Sequence, residues 1–104
     1  MLETFTAQMF SPYVGETFQL PVGDVPPIEL QLVSVTELNF PAAARGTADP
    51  PKRVPFSLLF RNPQGLYFPQ SIYHIEHEQL GAMQIFLVPV GPDAEGMRYE
   101  AIFN

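Results

Sequence analysis

Residues 74–78 read His-Ile-Glu-His-Glu and gather both histidines of the chain with two of its eleven acidic residues. On a strand, side chains alternate between faces, so His74, Glu76 and Glu78 would share one face. An imidazole and two carboxylates on one face could hold a divalent metal. A structural site usually takes four ligands, and no second cluster of His or Cys supplies the rest. The plainer reading is the solvated outer face of a strand, with His77 packed near the following turn. The expectation is that no transition metal binds. Further on, "GPDAEG" sets Asp93 and Glu95 between Gly91 and Gly96. A calcium loop needs regularly spaced oxygen ligands closed by a bidentate acid. Two acids fall short of that, and a polar hairpin loop accounts for them.

Nucleophilic chemistry has four serines to draw on: Ser11, Ser34, Ser57 and Ser71. None lies in a Gly-x-Ser-x-Gly elbow, and Ser34 and Ser57 fall within strand patterns, an unusual place for a catalytic serine. No spacing among the acids singles out a pair for general acid–base work. The chain has no glycine-rich phosphate loop and no dinucleotide fingerprint. It has no cysteine, which removes disulfides, thiolate nucleophiles and cysteine-ligated zinc together. The expectation is a protein that is not an enzyme and that carries no cofactor.

The elements that would position these residues are mostly strands. The first apolar residues, Leu2, Phe5, Met9, Phe10, Tyr13 and Val14, follow helical spacing. Thr4 or Thr6 could cap such a helix. Pro12 restricts Ser11, so the spacing predicts a short helix or two broken turns, ended by Gly15. From there the period is two. "ETFQLPV" puts Phe18, Leu20 and Val22 on one face, and "GDVPP" makes a turn. "IELQLVSVTEL" sets Ile28, Leu30 and Leu32 on one face, then Val33 and Val35 on the other. That slip of one residue predicts a bulge or a strand buried on both sides at its middle.

"VPFSLLFR" places Phe56, Leu58 and Phe60 together, and "NPQG" turns the chain. "SIYHIEH" directs Tyr73 and Ile75 inward and His74 and Glu76 outward. "AMQIFLVPV" reads as a central strand, flanked on both sides and covered on both faces. "MRYEAIF" aligns Met97, Tyr99, Ala101 and Phe103, and should pair antiparallel with residues 82–90. A chain that ends inside a ladder does not fray, so Phe103 is expected to be buried. The fold class expected is mainly β. It is a small six-stranded antiparallel bent sheet, or a partly open barrel or sandwich, with one short N-terminal helix. A flat sheet covered by the helix is the alternative.

At 104 residues the chain suits a single domain spanning 1–104. Its hydrophobic fraction of 46% supports one packed core. No run approaches the ~18 apolar residues of a membrane helix, and "MLETFTAQ" lacks the basic start of a secretory signal. These features, with the absence of cysteine, predict a soluble cytoplasmic protein. Five basic residues against eleven acidic ones give a formal charge of −6. Nucleic acid and anionic membrane are therefore not expected partners.

The candidate contact residues lie in loops. Residues 39–53, "NFPAAARGTADPPKR", hold Arg45, Lys52 and Arg53, three of the five basic residues, beside Phe40. Prolines stiffen this connection and lower the entropy lost on docking, so it suits recognition of an acidic protein surface. A tolerated insertion is the alternative. Tyr67 and Phe68 sit beside a proline in another loop. They are either partner anchors or lids folded back over the barrel end.

"FSLLFR", "QSIYHIEHEQLG" and "IFLVPVGPDAEGMRYEAIFN" resemble a bacterial family of short proteins, the domain of unknown function numbered 6916, and "FSPYVGETFQL" is similar to its opening. The resemblance covers nearly the whole chain. It implies a stand-alone bacterial protein of this length. It also implies, through relatives that neighbour genes for phage-tail-collar-like proteins, an accessory or structural part of a tail-like assembly. The family brings no catalytic residues. The loop from Phe40 to Arg53 is longer and richer in proline than the family pattern.

The functional expectation is a non-enzymatic protein-interaction module with an unidentified protein partner, contacting it through Phe40, Arg45, Lys52, Arg53, Tyr67 and Phe68. An edge strand would also allow homo-oligomers. The alternative is a small-molecule-binding barrel with an aromatic-lined pocket. A packed interior favours the first, and an apolar pocket above ~300 Å³ favours the second.

Overall fold

Six antiparallel strands close on themselves in the order β1-β2-β3-β6-β5-β4 in the computed structural model, which describes residues 5–38 and 55–103. They are β1 (Thr17–Leu20), β2 (Ile28–Glu37), β3 (Phe56–Asn62), β4 (Ser71–His77), β5 (Gly81–Asp93) and β6 (Gly96–Phe103). The barrel is closed where the sequence allowed a partly open one. The closing contact is β1 against β4, with Gln19 opposite Glu76. A flat sheet would leave the period-two faces of six strands with only one short helix to cover them. Curling the sheet lets the strands cover one another.

Before the barrel, Thr6 caps α1 (Ala7–Phe10), its hydroxyl accepting from the Met9 N–H at 3.3 Å. A single 3₁₀ turn, Ser11–Tyr13, follows, with Pro12 near its start. The two broken turns match the expectation from Pro12. Gly15 then adopts φ +93°, a value that favours glycine. β1 stops at Leu20 because Pro21 follows, so Val22 stands partly in solvent and does not extend the buried pair Phe18 and Leu20.

The slip read in β2 is a register shift. Leu32 faces Phe60, Ser34 faces Leu59, and one residue is unpaired between them. This bulge bends β2 and helps close the barrel. β3 is buried at Phe56, Leu58, Phe60 and Asn62, alternating with half-buried residues. β6 pairs with β3 over Met97 to Phe103, from Asn62↔Met97 to Phe56↔Phe103. Its other side takes β5 from Val88↔Glu100 to Asp93↔Gly96. The C-terminal strand is therefore held from both sides.

Two sequence expectations need correction. β5 is not covered on both faces. Met83, Ile85 and Leu87 are buried, but Phe86 is 50% exposed and Val88 half-buried. A barrel has one interior, and the alternate face of each strand looks outward. β5 is flanked by β4 over Gly81–Leu87 and by β6 over Val88–Asp93. Its prolines at 89 and 92 fall in the second half, beyond the reach of β4 and around a register shift, where a missing N–H is tolerated. Phe103 is half-buried. It sits at the barrel rim, stacked on Phe56 at 4.7 Å and edge-on to Phe5 at 5.5 Å, and its outer side stays open.

The interior is filled by the inward residues of all six strands, with Phe10 of α1 plugging one end. Among the described residues, no buried side-chain nitrogen or oxygen lacks a partner.

Candidate functional site

His77 is the buried member of the His-Ile-Glu-His-Glu stretch. Its Nδ1 accepts from the backbone N–H groups of Gln79 (3.1 Å) and Leu80 (3.3 Å). The proton therefore sits on Nε2, which donates to Glu16 Oε1 at 2.9 Å. The ring lies against Phe18 (4.4 Å) and Tyr13 (4.7 Å). His77 thus closes the β4–β5 turn and ties it to the start of β1. On the outer face, His74 Nδ1 accepts from Gln84 at 3.1 Å, and Nε2 contacts Glu76 at 2.9 Å. Glu76 and Glu78 line a surface groove of about 380 Å³ with Thr17, Gln19 and His77. That groove crosses the β1–β4 seam, and its lining is polar where the ligand-binding alternative calls for an aromatic one.

Asp93 and Glu95 form a structural tie. The Asp93 carboxylate accepts the Glu95 N–H at 2.9 Å, an Asx turn. The same carboxylate takes Arg61 Nε at 3.1 Å and Nη2 at 2.6 Å, and Glu95 takes Nη1 at 3.3 Å. Hydrogen bonds from Arg61 and then from the Glu95 backbone hold the Asp93 carboxyl below its usual range. A depressed folded value stabilises the fold above the unfolded carboxylate range, near pH 4, and the effect fades as pH falls through the folded value. Asp93→Asn should therefore lower the melting temperature slightly at neutral pH and not at all at strongly acid pH. The test is a set of melts across that range, and a gap that persists in acid would contradict the assignment.

At the opposite end of β3 from Phe56, the 62–70 loop is built on two buried polar groups. Asn62 donates to the Glu29 carbonyl (2.9 Å) and accepts from the Leu66 N–H (2.9 Å). The Tyr99 hydroxyl donates to the Leu66 carbonyl (2.6 Å) and accepts from the Phe68 N–H (2.9 Å). Phe68 stacks on Tyr99 at 4.0 Å and meets Tyr73 edge-on at 5.0 Å, and the Tyr73 hydroxyl donates to the Pro69 carbonyl. Burial raises the Tyr99 hydroxyl pKa, and burial followed by the neighbouring Tyr67 raises that of Tyr73. Tyr99→Phe leaves the Phe68 N–H and the Leu66 carbonyl without this partner. It should cost about 1–3 kcal/mol in urea denaturation. It should also speed amide exchange at Phe68, and unchanged exchange there would show that the hydroxyl does not hold the loop.

Phe68 therefore folds back over the barrel end, while Tyr67 beside it is 68% exposed. Phe40, Arg45, Lys52 and Arg53 lie outside the described residues. The connection that carries them follows Leu38, just past the end of β2, and returns at Pro55, where the Leu38 N–H donates to the Pro55 carbonyl at 2.7 Å. Its roots flank Phe56, whereas Tyr67 and Phe68 follow Asn62 at the other end of β3. Those two ends lie roughly 20 Å apart along the strand. The structure does not bring the two loop roots together.

The sequence reading missed the outer wall of β4, β5 and β6. Ile72, 64% exposed, pairs directly with Phe86, and Ile102 on β6 is 56% exposed. The signal lay in the β5 apolar run: in a barrel, apolar residues on both faces must leave one set outside. Among the described residues there is no cluster of three or more His, Asp or Glu arranged to hold a metal. None of the described helices is long and apolar enough to cross a membrane.

No curated protein and no solved structure matches the chain. A family model does match, over residues 5–103, and those bounds take in α1 and all six strands. By that match the chain belongs to the family described as a domain of unknown function, DUF6916.

Proposed function

We infer that this protein is a non-enzymatic interaction module that binds a protein partner through the outside of its barrel. The observation that carries the reading is a contrast between inside and outside. The interior is packed with side chains, and among the described residues every buried side-chain polar atom has a partner. On the outside, Tyr67, Ile72, Phe86 and Ile102 stand half or more exposed. Large apolar side chains left in water gain free energy when a partner covers them. Tyr67 is pre-positioned by the pinned loop beside it, which lowers the entropy lost on binding. The small-molecule alternative draws less support, since the 380 Å³ groove is polar and lies outside the barrel. An accessory role in a phage-tail-like assembly is one setting in which such a module would serve.

Affinity capture from the native cell, read by mass spectrometry, tests this reading. The wild-type chain should enrich a defined partner, and the double variant Tyr67→Ala/Phe86→Ser should lose it while melting normally. Equal recovery by both chains would refute an interaction through this part of the barrel exterior. A small molecule that co-purifies in native mass spectrometry would favour the ligand-binding alternative.

A further inference from the structure

The barrel seam is short. β1 has four residues and β4 seven, and they register at Gln19↔Glu76. By that antiparallel register Leu20 falls beside Ile75, and the next positions toward Ser71 would belong to Pro21 and Val22. Pro21 has no N–H to offer, and residues 21–27 form no strand. Among the described residues, Ser71–His74 take backbone partners on the β5 side only. This half of β4 is an open edge in an otherwise closed barrel, and such edges template pairing with another strand.

We propose that this edge pairs with the same edge of a second copy of the chain, forming a two-fold symmetric antiparallel dimer centred on Ile72. This rests on the reading of the protein as an interaction module and names one surface it uses. An antiparallel pair is related by a two-fold axis, so one strand can serve both sides of the contact. With the axis at Ile72, that residue faces its own counterpart, and Ser71 faces Tyr73. The paired stretch ends short of Ile75, which lies beside Leu20 at the end of β1. Ile72 is 64% exposed, and its partner on β5 is the exposed Phe86. The dimer would join two Ile72 and two Phe86 side chains in one apolar cluster on a continuous sheet face.

Charge favours self-pairing at this register. Gln70, Ser71, Ile72 and Tyr73 carry no formal charge, His74 at the end of the stretch would face Gln70 and stays in contact with Glu76 of its own chain, and the carboxylates of Glu76 and Glu78 lie beyond the paired stretch. Two chains of formal charge −6 still repel at long range. Added salt should therefore strengthen the dimer.

Sedimentation equilibrium of the full chain over a range of concentrations tests the proposal. The expected result is a monomer–dimer equilibrium that tightens with salt. Ile72→Lys would set two ammonium groups against each other across the axis and should weaken dimerisation by about tenfold or more. Ile102→Lys, on β6, should leave it unchanged. Ile72→Thr keeps the β-branched shape and should also weaken the dimer, which covers the case in which lysine disturbs β4. A wild-type chain that stays monomeric at its highest soluble concentration overturns the proposal. So does a dimer indifferent to both Ile72 variants, or one weakened equally by Ile102→Lys. A monomeric wild type leaves the partner-binding reading intact, because that reading is judged by capture of a different protein.

Discussion

Replacing Gly96 with alanine should destabilise the fold by roughly 3–5 kcal/mol, a large share of a small domain's stability. Gly96 opens β6 at φ +149°, and a Cβ there would overlap the Asn62 carbonyl oxygen and come within 2.9 Å of its carbon. That carbonyl also accepts the Gly65 N–H at 3.0 Å and so closes the 62–65 turn. Relief by backbone movement would disturb β3, β6 and the turn together. The matched control is Gly91→Ala. Gly91 also has positive φ, +103°, but a Cβ there meets nothing within 4 Å. It should lose only the conformational part, about 1–2 kcal/mol. Urea denaturation of both variants isolates the steric part. Equal losses would mean that the Gly96 contact relaxes without cost.

Phe10→Ala should cost about 3–5 kcal/mol. A four-residue helix cannot hold itself together in water, so α1 stays only because its side chains are buried. Phe10 is fully enclosed and meets Phe5, Phe56, Phe103 and Phe18 at ring separations of 5.9, 6.0, 6.2 and 6.5 Å. Removing it opens a void at the barrel end and undocks the segment that leads into β1. Phe103→Ala should cost less, since that ring is already open on one side. If Phe103→Ala proved the more damaging of the two in thermal and urea unfolding, α1 would not be the plug of this end.

Strand existence and inward faces were legible because period-two alternation records which side of each strand meets the core. Phe56, Leu58 and Phe60 and the β2 slip at Leu32–Ser34 were readable for that reason. The helix cap and the break at Pro12 were also local, being fixed by the chemistry of two or three neighbouring residues. His77 could be placed near its turn, but its partner Glu16 lies 61 residues away. Asn62 read as the first residue of a turn, and nothing local announced that its side chain would be buried and fully bonded.

The sequence by itself therefore determined a mainly β domain of six strands with a capped N-terminal turn, and identified it by resemblance with the family whose model it matches. Tertiary structure alone decided that the sheet closes, that Phe86 faces water while Phe68 folds inward, and that part of β4 is left as an edge. The physical reason is that alternation fixes which residues share a face. Whether a face becomes interior or exterior depends on how the sheet curls and on which strand arrives beside it. Both are set by contacts between residues far apart in the chain.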